Sequence, residues 1–129
     1  MKRDLSHLVD GNISVKFDAH KTTVTGDAVD LQGCNSVTIF IITGTITDGT
    51  HTVSLLESDD DSTYTDVDSG DIIGTPPAID SDDSDTVFKI AYRGHKRYLK
   101  VKVTVAGATD GGNYGAIVVK GHLDHSLAT

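Results

Sequence analysis

The chain has 129 residues, a formal net charge of −8 and a single cysteine. Its length fits one domain, and one cysteine excludes an intrachain disulfide. The acidic balance argues against a nucleic-acid-binding protein. No apolar run approaches the about 18 residues that a membrane-spanning helix needs, and no signal-peptide pattern follows the start, so we expect no membrane partner. Thr, Val and Ile are abundant, which favours β-structure.

The first half of the chain contains strand patterns separated by turn signals. Residues 1–12 predict a flexible arm, and residues 13–17 alternate apolar and polar side chains, as in a half-buried strand. Residues 36–44 are almost continuously apolar and β-branched, which predicts a central strand covered on both faces. The Asp-Gly pair at 48–49 predicts a hairpin turn into the next strand. The positions on one face of that strand are His51, Val53 and Leu55.

The second half begins with short extended segments at 64–67 and 71–73, between acidic loops. Two clearer strands follow at 87–92 and 98–106, and residues 93–97 join them. Residues 114–120 predict a closing strand. Alternation along 98–106 predicts that Leu99, Val101, Val103 and Val105 face the core. The side chains predicted to face outwards are Tyr98, Lys100, Lys102 and Thr104.

These eight to ten short strands with frequent turns predict an all-β fold. The expected architecture is a single β-sandwich, either jelly-roll-like or immunoglobulin-like, with a flexible N-terminal arm. We assign residues 1–12 to the arm, residues 13–121 to the β-sandwich domain and residues 122–129 to a C-terminal tail.

Charge is divided unevenly along the chain. Residues 57–85 contain eleven acidic residues and no Lys or Arg, whereas residues 86–120 contain seven Lys or Arg and one acid, Asp110. The basic set could bind an acidic or phosphate-bearing partner, pair with the acidic loops within or between subunits, or form a solvated strand face. The candidate interface residues are Arg93, Lys96, Arg97, Tyr98, Lys100, Lys102, Asp59, Asp60 and Asp61.

Metal and catalytic sites have little support in the sequence. The carboxylates at 59–61 and 80–85 could attract calcium, but Tyr64 and Gly70 stand where an EF-hand loop requires Gly and Glu. His122 and His125 have a spacing that serves zinc on a helix, here in a predicted tail without a nearby Cys. The chain contains no G-x-S-x-G elbow, phosphate-binding loop or dinucleotide fingerprint. We therefore predict a protein that is not an enzyme and uses no metal or cofactor.

Several segments resemble small structural proteins of tailed bacteriophages. They are Cys34–Thr38, Asp48-Gly49-Thr50, Leu55–Asp60, Tyr64–Val67, and Ile90–Val101 with its Gly-His-Lys-Arg-Tyr centre. Some of these proteins look like head decoration, or cement, proteins, and the resemblance covers roughly residues 30–105. It implies a β-sandwich made in the host bacterial cytoplasm that binds the capsid surface of the virion. The implied partners are the major capsid protein and further copies of the chain, often as a homotrimer.

The leading hypothesis is therefore a capsid decoration protein that stabilises the phage head. A tail or head–tail joining protein is the alternative within the same class. A carbohydrate-binding β-sandwich is the alternative from another class, although the chain has no Trp and its four Tyr are scattered. If the acidic and basic halves pair between subunits, raising the salt concentration should weaken the assembly.

Overall fold

The computed structural model describes residues 9–32 and 36–121, and within these ranges nearly all regular structure is β. The other regular elements are two 3-10 turns, Ser69–Asp71 and Ser81–Asp83. The strands are β1 (Val9–His20), β2 (Val24–Thr25), β3 (Val29–Asp30), β4 (Ser36–Ile46), β5 (Thr50–Ser58), β6 (Thr65–Asp66), β7 (Ile72–Ile73), β8 (Ala78–Ile79), β9 (Val87–Tyr92), β10 (Tyr98–Ala106) and β11 (Gly112–Gly121).

The strands form two antiparallel sheets that pack as a β-sandwich, which confirms the predicted fold class. Sheet A has the order β1-β11-β4-β9-β7. Sheet B has the order β2-β10-β5-β6, with β3 also pairing with β10 and β8 with β5. If β2 with β3, and β6 with β8, each count as one interrupted strand, and the two-residue edge strand β7 is set aside, sheet A reads 1-8-3-6 and sheet B reads 2-7-4-5. This is the jelly-roll arrangement rather than the immunoglobulin one.

The hairpin expected at 48–49 is wrong, because the strands that the turn connects lie in different sheets, and residues 93–97 make the same kind of crossing. The turn at 48–49 carries the chain from β4 in sheet A to β5 in sheet B, and residues 93–97 carry it from β9 to β10. The Asp48 carboxylate accepts hydrogen bonds from the amides of residues 109–111. The Arg93 amide donates to the carbonyl of Asp71. These hydrogen-bond partners are distant in the sequence, so no local pattern reveals them. They direct each loop from one sheet to the other.

The core lies between the sheets and consists mainly of aliphatic side chains. The predicted inward positions Leu99, Val101 and Val103 are buried, and Val105 is half-buried against the core. His51 is fully buried on sheet B, where its Nδ1 lies 2.9 Å from the hydroxyl of Tyr114 on sheet A. Burial raises the pKa of Tyr114 to about 12. This polar pair links the two sheets through the core.

Strand β1 begins at Val9, four residues before the predicted domain boundary at position 13. Its residues 9–12 pair with residues 118–121 of β11, so this part of the predicted arm is strand. The sequence of residues 9–12 alone does not indicate a strand, because the pairing with β11 is what makes them one. Residues 1–8 and 122–129, which include the remaining arm and tail with His122 and His125, lie outside the described residues, as does Cys34.

Candidate interfaces on the two outer faces

The outer face of sheet B carries three of the predicted interface residues, Tyr98, Lys100 and Lys102. They alternate along β10 with buried residues and point away from the core, as the sequence predicted. The Lys100 ammonium lies 4.1 Å from the centre of the Tyr64 ring, which is a favourable cation–π distance. We call this surface the basic face; it consists of Tyr64, Tyr98, Lys100 and Lys102.

Two other predicted cations are bound to carboxylates of the same chain. Lys96 Nζ lies 2.8 Å from Asp59 Oδ2, and Arg97 makes two hydrogen bonds of 3.0 and 2.9 Å to Asp30. The Arg97 hydrogen bonds lower the pKa of Asp30 to about 2. The Asp59 hydrogen bond raises the pKa of Lys96. The Lys96–Asp59 pair therefore joins the acidic segment 57–85 to the basic segment 86–120 within one subunit, whereas Arg97 pairs with a carboxylate outside the acidic segment. Both pairs are partly exposed, and pairs of this kind contribute little stability.

The acidic loop at 59–61 is organised by its own hydrogen bonds. Asp60 Oδ1 accepts from the Ser58 hydroxyl and from the amides of Ser62 and Thr63. The two backbone amides are the main reason why the pKa of Asp60 is lowered. The Tyr64 hydroxyl donates to Asp61. The carboxylates at 60 and 61 thus hold the turn from β5 to β6 in place.

The connection between β9 and β10 is anchored by a buried tyrosine. The Tyr92 hydroxyl donates to Glu57 Oε1 at 2.7 Å and accepts from the Lys96 amide at 3.2 Å. A side chain at Gly94 would begin 2.4 Å from that hydroxyl, so this close approach requires glycine. Beside the connection is an open cleft of about 700 Å³, and its polar wall includes Arg93, His95 and Lys96.

The second acidic segment, 80–85, also serves the local backbone. Asp80 Oδ1 accepts from the Asp82 amide, and Asp83 Oδ2 accepts from the Asp80 amide, which forms a capping box at the 3-10 turn. In residues 9–32 and 36–121, no three His, Cys, Asp or Glu side chains form a group that could hold a metal ion. No helix in the same ranges is long and apolar enough to cross a membrane.

The outer face of sheet A is apolar, and the sequence interpretation did not identify it as a site. Strand β4 was expected to be covered on both faces, but its outward Phe40 and Ile42 are only partly buried. The four most exposed large apolar side chains of the described residues also belong to this sheet, with exposed fractions of 54–61%. We call this surface the apolar face; it consists of Ile13, Phe17, Phe40, Ile42, Ile73, Val87, Ile117 and Val119.

Glycines let Phe17 lie on the apolar face. Strand β1 has register shifts between Ile13 and Asp18, so its backbone at Phe17 rises over β11. A Cβ at Gly115 would lie 2.9 Å from the Phe17 backbone. The Phe17 ring reaches β4, where a Cβ at Gly44 would lie 3.3 Å from its tip. The bulged strand therefore adds a second aromatic side chain, besides Phe40, to a face that is otherwise aliphatic.

Comparisons with known proteins show a fold but no family. No protein-family model and no curated protein matches the chain. The PBSX exported protein XepA has a similar solved structure, with a TM-score of 0.61 and 13% identity. The match covers 88% of this chain but only 37% of XepA. The chain thus corresponds to about a third of that larger protein and shares the fold of that part.

Weaker structural similarities extend over most of the chain. The SPBc2 prophage-derived protein YomS matches with a TM-score of 0.43 and 11% identity, covering 88% of this chain and 94% of YomS. A Bacillus endospore appendage protein, described as forming disulfide-linked pili, matches with a TM-score of 0.48 and 14% identity over 90% and 88% of the two chains.

Proposed function

We propose that this protein is a structural component of a bacteriophage particle, and specifically a capsid decoration protein. The observation that carries the proposal is the jelly-roll fold shared with the phage-derived protein XepA over 88% of the chain. The resemblance of its strand and turn segments to small virion proteins supports the same assignment. The partner is the major capsid protein, and the protein acts by binding rather than by catalysis.

The basic face is the surface that we assign to the capsid. Tyr64 and Tyr98 supply broad, rigid contact area, and Lys100 and Lys102 add charge that can select an acidic neighbour. Tyr is enriched in protein interfaces, and charged groups there affect specificity and association rate more than affinity. Lys96 and Arg97 are held by carboxylates of their own chain and would instead shape the rim of this contact.

The proposal is tested with phage particles. Mass spectrometry of purified virions should detect the protein, and particles that lack it should release their DNA at a lower temperature. Adding the purified protein back should restore heat resistance, whereas a Lys100→Glu, Lys102→Glu variant should bind the particles more weakly. Absence of the protein from virions would contradict the proposal.

The alternative location is the tail or the head–tail junction. Electron microscopy of particles labelled on this protein separates the two locations. Labels distributed over the head support decoration, whereas labels confined to one vertex or to the tail would move the protein to the joining or tail class.

A further inference from the structure

We infer that the apolar face is an interface between two copies of this chain, which pack sheet A against sheet A. The inference does not depend on the phage assignment, because it concerns the isolated protein. Large exposed apolar patches are rare on monomeric proteins and commonly mark a contact surface. Here the outer face of sheet A gathers all four of the most exposed large apolar side chains among the described residues.

The size of the face fits a small specific interface. Four long neighbouring strands and the short β7 give a surface of roughly 20 Å by 25 Å, from a strand spacing of about 4.8 Å and a rise of about 3.3 Å per residue. Two such faces packed together would bury on the order of 1,000 Å², which is the lower limit for specific protein interfaces.

The charge of the face favours a second copy as its occupant. The outward positions of β4, β9 and β11 include one charged residue, Lys89, and no carboxylate, while on the edge strand β1 the exposed Lys16 and Asp18 flank Phe17. Two chains of net charge −8 can therefore approach here without burying their acidic loops. Shape favours the same partner, since two identical twisted sheets pack face to face at an angle of about −30°. A contact of one patch with itself is two-fold and stops at a dimer.

The edges of sheet A are poorly suited to pairing with a second chain, so the apolar face is the part of this sheet that is available for contact. The outer edge strand β1 has two register shifts, and such bulges prevent a regular ladder with another chain. At the opposite edge, β7 is two residues long and is followed by Gly74, Pro76 and Pro77. Extension of the sheet by a neighbouring strand is thus blocked on both sides.

The test is sedimentation equilibrium of the full chain over a wide concentration range. We expect the wild type to form a dimer, and Ile13→Glu or Val87→Glu to weaken it by roughly 100-fold, because each would bury a carboxylate in an apolar contact. Both side chains are about 60% exposed, so the fold should tolerate the change, and circular dichroism checks this. Thr104→Glu is the matched control, since it adds the same charge to an exposed position on sheet B.

Salt dependence gives a second readout that needs no variant. An apolar contact should keep its dissociation constant, or tighten, between low and high NaCl concentration, because screening acts only on charges. A monomeric wild type, a trimer, or a dimer that Thr104→Glu weakens as much as Ile13→Glu would overturn the inference. Because these measurements contain no capsid, their failure would leave the proposed decoration function untouched.

Discussion

The two outer faces of this sandwich differ in whether their interactions are completed within one chain. On sheet B and its loops, the charges find partners nearby: Lys96 binds Asp59, Arg97 binds Asp30, and Lys100 lies over Tyr64. On sheet A, the outward apolar side chains find only their neighbours in the sheet. Charges that are conspicuous in the sequence can therefore pair within one chain, whereas an apolar surface with a weaker sequence signal can be the one that binds a partner.

The largest effect on stability is expected from Gly115→Ala, a substitution beneath the apolar face. Its new methyl group would collide with the β1 backbone at Phe17, so we expect a loss of about 1–3 kcal/mol in the free energy of unfolding. The displaced Phe17 should also weaken the dimer. Urea denaturation and sedimentation measure the two effects. Gly70→Ala is the control, because a Cβ there meets nothing within 4 Å; equal losses at both glycines would contradict the close approach.

A somewhat smaller effect is expected from Tyr114→Phe, which removes the hydroxyl that pairs with His51 between the sheets. Leaving a buried polar group without its partner costs about 1–3 kcal/mol, and we expect the lower part of that range because His51 Nε2 keeps its contact with the Asp48 carbonyl. Tyr64→Phe is the matched control, since its hydroxyl bonds to an exposed Asp61. Equal melting temperatures for the two variants would show that the buried Tyr114–His51 pair contributes no special stability.

The Asp30–Arg97 pair should give a smaller, pH-dependent effect. The pKa of Asp30 is lowered from 3.8 to about 2 in the folded chain, so the pair stabilises the fold above about pH 4 and loses this contribution as the pH falls towards 2. We expect Asp30→Asn to flatten the acid-unfolding curve most and Arg97→Gln to flatten it in large part, because the Gln32 amide and Lys120 also lower the pKa of Asp30; the double variant should match Asp30→Asn. Additive effects would show that the two residues act separately.

The smallest effect is expected at the Lys96–Asp59 pair, whose side chains are 42% and 71% exposed. Exposed pairs of this kind contribute little and are screened by salt. Asp59→Asn should leave the melting temperature and the dimer nearly unchanged at physiological salt. If the dimer dissociates in this variant, the contact between copies lies on the charged surface, which is one of the alternatives that the sequence left open.

The sequence could predict strands and their faces but not their partners. Alternation along β10 is a local signal of period two, and it correctly placed Leu99, Val101 and Val103 in the core. The Asp-Gly pair at 48–49 signals a chain reversal, but hydrogen bonds to residues 109–111 decide that the reversal crosses the sandwich.

The candidate sites show the same limit. The Asp30–Arg97 pair joins residues 67 positions apart, and the Phe17 bulge depends on Gly115 in a distant strand. An apolar run such as residues 36–44 indicates that both faces of the strand are buried, but it does not indicate whether this chain or a second chain buries them. The assignment of Arg93, Tyr98, Lys100 and Lys102 to a partner interface stays a prediction.

Nuclear magnetic resonance of the ¹⁵N-labelled protein at increasing concentration tests the central claim most directly. If copies meet through the apolar face, the amide signals of Ile13, Val87 and Ile117 should shift with concentration and reach a plateau. Those of Thr52, Lys102 and Thr104 on sheet B should stay in place. Shifts confined to the sheet B residues would contradict the account and make the basic face the contact between copies.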